Sequence, residues 1–388
     1  MASDTTTPLT VGAAGITTDD QTNADARRAQ GEFVRGVSSA RHWITDIPPS
    51  NDDDDDDNDE DELPPYYPPE SGRYHLIVAY NCPWCHRVLL ARAILGLQEA
   101  ITVDVVYPNR SSDDEPLGGN LWKFLPEGQV GLNGRFAQFP ECTIDTVFGG
   151  KQYVSEIYQE AGMITDQKSV PILVDKRTRT IVSNESAEMV RMLATTKMRT
   201  TCTKYKVPVE LYPADKATEI DTLNDWIYQT IANGSYKAGF SSNQDVYETA
   251  YQSYFEALTK LNDLLRQSKF LAGSDTVTEA DLRLFPPLFR HDPVYYNRFK
   301  LNEKYLWEFP NLWRWMGDMM QLEGMEEVTG AGYLAHCKQG YFGRTGNGTI
   351  PVGPKGYPEC YKIPHWIPPE LAAIASPANA VKRRTIEP

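Results

Sequence analysis

The chain has 388 residues, of which 41% are hydrophobic, and a formal net charge of −15. This length accommodates two domains with cores of their own, and no apolar run approaches the ~20 residues that span a bilayer. Ten acids and no base fall between residues 52 and 62, which leaves a net charge of −5 for the rest of the chain and no basic stripe for nucleic acid. Six cysteines do not make a disulfide scaffold, so we expect a reducing compartment, most simply the cytoplasm.

The first 70 residues are expected to lie outside the folded domains. Residues 1–30 are polar and poor in aromatics, which favours disorder, and they match neither a secretory signal nor an Arg-rich transit peptide. Residues 31–44 contain enough apolar side chains to pack as an extended arm. The acidic run at 52–62 is typical of a solvated tract rather than an interaction tail, and the proline-rich stretch 63–69 predicts a stiff connector.

Residues 74–107 predict a strand–helix–strand unit around which the rest of the chain is organised. A buried strand leads into Cys82, and Pro83 suits the first turn of a helix because it has no N–H to leave unpaired. Cys82 therefore caps the helix, where free backbone N–H groups and the helix dipole stabilise an anion. A thiol at this position ionises more easily than a free cysteine, so Cys82 is the predicted nucleophile, and Cys85 lies one turn deeper in the helix.

Two other interpretations of this Cys-x-x-Cys pair are open. A zinc half-site needs a second pair of ligands, but the remaining cysteines occur singly, at Cys142, Cys202, Cys337 and Cys360. Two buried cysteines can also pack as small hydrophobic residues. Thiol chemistry is favoured over both, since the pair follows a strand and opens a helix, and no metal is expected.

The next part of the chain completes one sheet. A polar insertion at 108–166 is long enough to be functional or to contain short elements. The stretch 169–174 predicts a strand whose early Pro171 is tolerated at an edge or an end, and a cis Val170–Pro171 bond is one way to make the turn. A hairpin to 180–182 and a helix over 184–193 follow. The order β-α-β, insertion, β-β-α is that of a thioredoxin-like domain.

From about residue 215 the periodicity is helical throughout. Thr278 and Asp281 have the spacing of a capping box, and the Met and Trp residues of the last predicted helix are expected in the core. The predicted helices span roughly 216–232, 244–267 and 311–320. The predicted division is an arm with an acidic insertion at 1–70, a thioredoxin-like domain at 71–200, an all-helical domain at 210–345 and an irregular tail at 346–388.

Several motifs occur in the order of one known family. They are NCPWCHR at 81–87, VSNESAE at 182–188, NGSYKAGF at 233–240, DPVY at 292–295 and GYF at 340–342. Together they resemble the xi class of glutathione transferases, the glutathionyl-hydroquinone reductases, over about 31–44 and 71–357. The resemblance implies a thioredoxin-like domain followed by the all-helical glutathione-transferase domain.

The resemblance also implies an activity, the removal of glutathione from glutathionyl-hydroquinones or similar aromatic thioethers. Cys82 matches the family's cysteine, which forms a mixed disulfide with glutathione, and a second glutathione then regenerates the thiolate. Glutathione is thus the expected co-substrate, without a metal. The family forms homodimers, so a homodimer without nucleic-acid or membrane partners is expected.

Residues on the sheet side are the candidates for binding glutathione. The main chain of Val170 can pair with the tripeptide as an added strand, and Glu185 and Ser186 open a helix that can hold the γ-glutamyl group. Trp122 matches the family tryptophan that packs against glutathione, with a buried core residue as the competing interpretation. Lys168 stands where the family places an arginine, and offers a point charge with weaker geometry.

Three tyrosines rest on the resemblance alone. Tyr236, Tyr295 and Tyr341 match the tyrosines of the family's quinol site, where hydroxyl groups can donate to a quinol oxygen that leaves as phenolate. Cys85 departs from the alanine common in the family and introduces the alternative of dithiol chemistry.

Two other functions remain open. One is an omega-like thioltransferase or dehydroascorbate reductase, and the other is a non-catalytic binding module with the transferase fold.

Overall fold

The computed structural model describes residues 18–49, 65–125, 139–163, 168–205, 209–343 and 348–354. The acidic run at 52–62 and most of the tail at 346–388 lie outside these residues, so the predictions of disorder and of an irregular tail are not tested there. The predicted domain boundaries likewise stay predictions.

A four-stranded mixed sheet forms the centre of the first half of the chain. Its strands are β1 (Tyr74–Val78), β2 (Ile101–Val105), β3 (Ile172–Asp175) and β4 (Thr180–Ser183), in the spatial order β2-β1-β3-β4. β1 pairs parallel with β2 and antiparallel with β3, and β3 pairs antiparallel with β4. All five residues of β1 are buried, as expected of a central strand covered on both faces. The predicted order of elements along the chain, β-α-β, insertion, β-β-α, is confirmed.

Five helices belong to the described part of the first half of the chain. They are α1 (Thr18–Ala29), α2 (Pro83–Ile94), α3 (Val154–Glu160), α4 (Ser186–Leu193) and α5 (Thr196–Thr201). α2 crosses from β1 to β2 and packs on α4 and on the helices that follow. The expectation of disorder for residues 1–30 is wrong for Thr18–Ala29, which form helix α1.

The second half is helical, as its periodicity predicts. The helices are α6 (Ala217–Ile227), α7 (Gly234–Phe240), α8 (Gln244–Gln267), α9 (Glu279–Phe289), α10 (Tyr296–Arg298), α11 (Pro310–Met320), α12 (Glu326–Thr329) and α13 (Ala331–Phe342). Two π-helical turns, Tyr228–Ala232 and His291–Tyr295, interrupt the run. The capping box is present, since the Thr278 amide donates to Asp281 Oδ2 at 2.8 Å. The Met and Trp residues of α11 are in the core as predicted, with Trp315 fully buried.

The segment at 31–44 packs as the predicted arm and contacts both halves of the chain: Phe33 lies against the rings of Tyr236 and Phe240, and residues 38–44 lie on the sheet side. Arg41 bridges to Ser183 at the edge strand, and Ile44 bridges to Tyr67 in the proline-rich connector. Ala40 and Ile44 are buried, so the arm contributes to the core. Among the described residues, no helix is long and apolar enough to cross a membrane.

Candidate active site

Cys82 occupies the N-cap position of α2. Its backbone is extended, with φ −82° and ψ 120°, and Pro83 follows at the first helical position. The predicted cap is therefore confirmed. Its thiol donates a hydrogen bond to the carbonyl oxygen of Val170 at 3.7 Å, and makes no cap hydrogen bond in this form. Cys82 is 9% exposed whereas Cys85 is 0% exposed. Cys82 is therefore the more accessible thiol of the pair, but it is itself buried.

The surroundings of Cys82 favour its thiolate. Burial opposes ionisation, but the Cys85 thiol, the backbone N–H groups of Cys85 and Trp84, and the charge of Arg290 together lower the pKa of Cys82 to about 6. Burial and the neighbouring Cys82 raise the pKa of Cys85 well above its usual value. One thiol is thus ionised at neutral pH while its neighbour keeps its proton, which is the arrangement of a nucleophile with a hydrogen-bond donor beside it.

Val170 stands opposite this sulfur. The Val170–Pro171 bond is cis, as the sequence allows, and β3 begins at Ile172 just beyond it. The thiol and the main chain that is predicted to pair with glutathione are therefore in direct contact.

Trp122 and Lys168, two described residues that are also predicted to bind glutathione, have no hydrogen bond to Cys82. Trp122 is 5% exposed and packs in the hydrophobic core, with the Arg110 guanidinium 4.4 Å from its ring centroid. Lys168 is exposed. No contact of either side chain with Cys82 is present, and their roles stay predictions.

Glu185 and Ser186 form the beginning of α4 as predicted, and they are linked to α2 by an arginine. Glu185 is the N-cap and accepts a hydrogen bond from the Ala187 amide at 2.9 Å. Ser186 Oγ accepts from Arg87 Nη2 at 2.6 Å, and Glu185 Oε1 accepts from the same nitrogen at 3.4 Å. The arm also reaches this pair, because Ser38 Oγ donates to Glu185 Oε2 at 2.9 Å.

The three predicted tyrosines come together, although they lie on three separate segments. The hydroxyl groups of Tyr236 and Tyr341 are hydrogen-bonded to each other. The Tyr295 ring lies 6.4 Å from that of Tyr236 and 5.8 Å from that of Tyr341, centroid to centroid, and is nearly perpendicular to both. Tyr295 is fully buried, and its hydroxyl makes no hydrogen bond of normal geometry within the described part of the chain, although Tyr341 lies near enough to act on it. Burial raises the pKa of all three phenols, so they are proton donors at neutral pH.

One glycine sets how closely the helical half approaches the cysteine loop. A Cβ at Gly340 of α13 would lie 2.0 Å from Asn81 Nδ2, next to Cys82. A glycine is required here for space, and the neighbouring Tyr341 is thereby held close to the cysteine loop.

Sequence reasoning missed three side chains of this region. Trp84 lies between two guanidinium groups, with Arg35 at 4.4 Å and Arg87 at 4.8 Å from its ring centroid. Arg35, from the arm, also lies 4.9 Å from the Tyr236 ring. The third is Arg290, between α9 and the following π turn. Trp84 could have been found from the motif NCPWCHR at 81–87, which also contains Arg87. No sequence motif distinguishes Arg35 or Arg290.

No group of three or more His, Cys, Asp or Glu side chains suited to a metal ion occurs among the residues with described positions. The five cysteines described are all free thiols.

Comparisons with known proteins agree with this geometry. Residues 81–196 match the family described as glutathione S-transferase, N-terminal domain, and residues 244–318 match glutathione S-transferase, C-terminal domain. The two matches contain Cys82, Glu185 and Ser186 in the first and Tyr295 in the second.

Individual relatives narrow the family. The chain is 36% identical over 290 residues to glutathionyl-hydroquinone reductase PcpF of Sphingobium chlorophenolicum, covering 74% of this chain and 84% of that protein. It is 34% identical over 338 residues to glutathionyl-hydroquinone reductase YqjG of Escherichia coli, covering 85% of this chain and 91% of YqjG. The glutathione-bound structure of YqjG superposes with a TM-score of 0.67 over 81% of this chain and 92% of that one. A xi-class transferase from Natrialba magadii, 34% identical, also gives a TM-score of 0.67, over 82% and 86% of the two chains.

Proposed function

The chain belongs to the xi class of glutathione transferases, the glutathionyl-hydroquinone reductases, and we propose that it removes glutathione from glutathionyl-hydroquinones with the Cys82 thiolate as nucleophile. The observation that carries the assignment of Cys82 is its position: a helix cap, beside the Val170 carbonyl, with a pKa lowered to about 6 by its hydrogen-bond donors and Arg290 against the opposing effect of burial.

The reaction proceeds in two thiol exchanges. The Cys82 thiolate attacks the glutathione sulfur of the substrate, an S–S bond forms, and the C–S bond to the ring breaks. The ring takes up the electron pair and a proton, so the hydroquinone is reduced while the two sulfurs are oxidised to the mixed disulfide. A second glutathione thiolate then attacks the glutathione sulfur, which releases glutathione disulfide and restores the Cys82 thiolate. A thiolate of lowered pKa suits both steps, because it is present at neutral pH and leaves readily.

The tyrosine cluster is the proposed quinol site. Hydroxyl groups of Tyr236, Tyr295 and Tyr341 donate hydrogen bonds to the quinol oxygens as negative charge develops on the ring. The unpartnered, buried hydroxyl of Tyr295 supports this role, because a ligand oxygen at this point would satisfy a donor that the described chain leaves open.

The sheet side is the proposed glutathione site. The main chain of Val170 pairs with the cysteinyl part of the tripeptide, while Glu185 and Ser186 hold its γ-glutamyl end. Trp122 and Lys168 complete the proposal, as the stacking and the carboxylate-binding residue. Placement of Val170 beside the Cys82 sulfur supports the first of these assignments most directly.

A single-turnover experiment tests the role of Cys82. Stoichiometric enzyme is mixed with glutathionyl-menadiol without free glutathione, and released quinol is measured together with the mass of the protein. The wild type is expected to release one quinol per chain and gain one glutathione on Cys82. Cys82→Ala and Cys82→Ser are expected to release none and to unfold at nearly the wild-type temperature, since serine is a favoured cap. Release of quinol by Cys82→Ala would refute the assignment.

The neighbouring Cys85 thiol favours a second candidate, an omega-like thioltransferase. Turnover of glutathionyl-menadiol compared with dehydroascorbate and with a glutathionylated peptide separates the two functions. A higher kcat/KM for the glutathionyl-quinol is expected.

We also propose a homodimer that works in the reducing cytoplasm without metal, nucleic acid or membrane. The free thiols and the use of glutathione as reductant support the compartment. Light scattering on the protein as it elutes from a size-exclusion column measures its molar mass and tests the dimer.

A further inference from the structure

Arg290 is a buried cation next to the cysteine loop. Its side chain is 0% exposed, and it follows the last residue of α9 as the C-cap. It donates to the carbonyl oxygens of Asn81 at 3.3 Å, Tyr80 at 2.9 Å and Pro286 at 2.9 Å. Asn81 and Tyr80 are the two residues before Cys82, so the guanidinium joins the helical half to the segment that presents the thiol.

The fourth partner of Arg290 is also neutral. Its Nη1 lies 2.9 Å from His86 Nδ1, and His86 Nε2 lies 2.8 Å from the carbonyl oxygen of Val328. A carbonyl only accepts, so Nε2 carries the proton and Nδ1 is left to accept from Arg290. Burial and the charge of Arg290 lower the pKa of His86 well below its usual value, which agrees with a neutral ring.

Arg290 therefore lacks an anionic partner. No carboxylate forms an ion pair with it within the residues that the structure describes, although the other deeply buried arginines have acidic partners there: Arg73 pairs with Asp175 and Arg87 with Glu185. A guanidinium is always charged in a protein, and burying it without a counter-ion is costly. An anion that forms beside this guanidinium is therefore stabilised by it.

The other described ionisable groups around the Cys82 sulfur are thiols and a phenol, and none of them can supply a positive charge. Cys85 lies on the same helix, Tyr236 on α7 and Cys337 on α13, and each interacts electrostatically with Cys82. His86 faces Arg290 in its neutral form. Within the described chain, Arg290 is the cation whose charge favours the Cys82 thiolate, and it also interacts with Cys337, Tyr295, Tyr341 and Tyr333.

We infer that Arg290 is a positioning residue of the active site, which holds the Tyr80–Asn81 main chain in place and supplies the counter-charge for the Cys82 thiolate. The inference rests on the proposed function only in taking Cys82 as the reactive thiol. Two roles follow, one of charge and one of geometry, and substitutions separate them. Arg290→Met removes both, whereas Arg290→Lys keeps the charge but cannot reach all four acceptors with a single ammonium group.

Alkylation of Cys82 by iodoacetamide measures the charge role without any quinol. The rate is followed from pH 4.5 to 9, with Cys82→Ser as the blank. The wild type is expected to show a midpoint near pH 6, and Arg290→Met a midpoint higher by about one pH unit. Arg283→Met is the matched control, because Arg283 lies on α9 and pairs with Glu279 instead, and its midpoint should equal that of the wild type.

Arg290→Lys measures the geometric role. Its alkylation midpoint is expected within about half a unit of the wild-type value, while kcat for the glutathionyl-quinol falls about tenfold or more because the loop before Cys82 loses its donors. A folded Arg290→Met with the wild-type midpoint would overturn the inference. If Arg290→Met does not fold, a Lys variant with wild-type kcat, or with a midpoint raised by a full unit, would overturn it instead. Failure of the wild type to turn over glutathionyl-quinols would refute the proposed function and leave the alkylation result standing.

Discussion

The sheet side and the helical side of the region around Cys82 differ in how their polar groups are satisfied. On the sheet side, Glu185 and Ser186 already accept hydrogen bonds from Arg87, from Ser38 of the arm and from the first turn of α4. On the helical side, the buried Tyr295 hydroxyl makes no hydrogen bond of normal geometry within the described chain, and the hydroxyl groups of Tyr236 and Tyr341 are bonded to each other. Glu185 and Ser186 are thus hydrogen-bonded before any ligand binds, whereas the helical side has an open donor at Tyr295.

This difference indicates a division of work. A preformed polar site, as we propose for glutathione, can bind its ligand with little rearrangement, and its side chains also stabilise the fold. An unsatisfied donor costs stability until a ligand accepts from it, which is the behaviour of a group that acts on the reacting molecule. Substitutions on the two sides should therefore move stability and activity in different combinations.

The largest expected effect is that of Tyr295→Phe. Removing an unpaired buried hydroxyl should raise the free energy of unfolding by about 1 kcal/mol, whereas the loss of a donor to the developing phenolate should lower kcat for quinol release about 100-fold. Chemical denaturation and single-turnover quinol release measure the two quantities. A variant that is both more stable and nearly inactive would establish that the hydroxyl serves the reaction.

Tyr254→Phe is the matched control for that prediction. Tyr254 is equally buried, but its hydroxyl has a partner: His291 Nε2 donates to the Lys304 carbonyl, so Nδ1 accepts from Tyr254 at 2.9 Å. Its loss should lower stability by about 1 kcal/mol and leave kcat unchanged. Equal losses of stability in the two variants would contradict the contrast between the two sides.

The same contrast explains which parts of the molecule were predictable. Strand and helix positions on the sheet side follow from local patterns, and a cap cysteine before Pro83 or a Glu–Ser helix start needs only a few adjacent residues. The tyrosine cluster joins segments about 105 residues apart, as the Tyr236–Tyr341 pair shows, and was found through the family resemblance alone. Arg290 reaches Tyr80 across 210 residues, and no local pattern distinguishes it from another helix-terminal arginine. Helix α1 was missed because its composition is that of a disordered tail and lacks an apolar face.

Ser186→Ala should have an intermediate effect, confined to the sheet side. It removes the hydroxyl that accepts from Arg87 at 2.6 Å and is proposed to hold the γ-glutamyl end of glutathione. The KM for glutathione is expected to rise about tenfold, as for the loss of one charge-assisted hydrogen bond, with the single-turnover rate of quinol release unchanged. Steady-state kinetics with glutathione varied measures the first quantity.

Thr195→Ala removes a hydroxyl at the beginning of the neighbouring helix instead, since Thr195 caps α5. It should cost about 1 kcal/mol of stability without changing the KM. A tenfold rise in KM for this control would mean that Ser186→Ala acts through general loss of helix α4 and α5 structure, and would remove the basis for the glutathione assignment.

The smallest expected effect is that of Cys85→Ala, and its pH dependence identifies its cause. The Cys85 thiol and its N–H group favour the Cys82 thiolate against burial, which lowers the pKa of Cys82 to about 6. A lowered thiol pKa means that the active form is present above pH 6 and is lost as the pH falls through that value, so removing the Cys85 thiol should move the activity midpoint upward. At pH 8 the variant should retain activity within about twofold, and at pH 6 it should be several-fold slower than the wild type. Cys142→Ala, which removes a buried thiol that donates to the Val106 carbonyl instead, should leave the profile unchanged.

Mass spectrometry after treatment with oxidised glutathione completes the test: both the wild type and Cys85→Ala should gain one glutathione on Cys82. A wild type that instead forms a Cys82–Cys85 disulfide without an adduct would assign Cys85 to dithiol chemistry, and thereby favour the thioltransferase over the reductase.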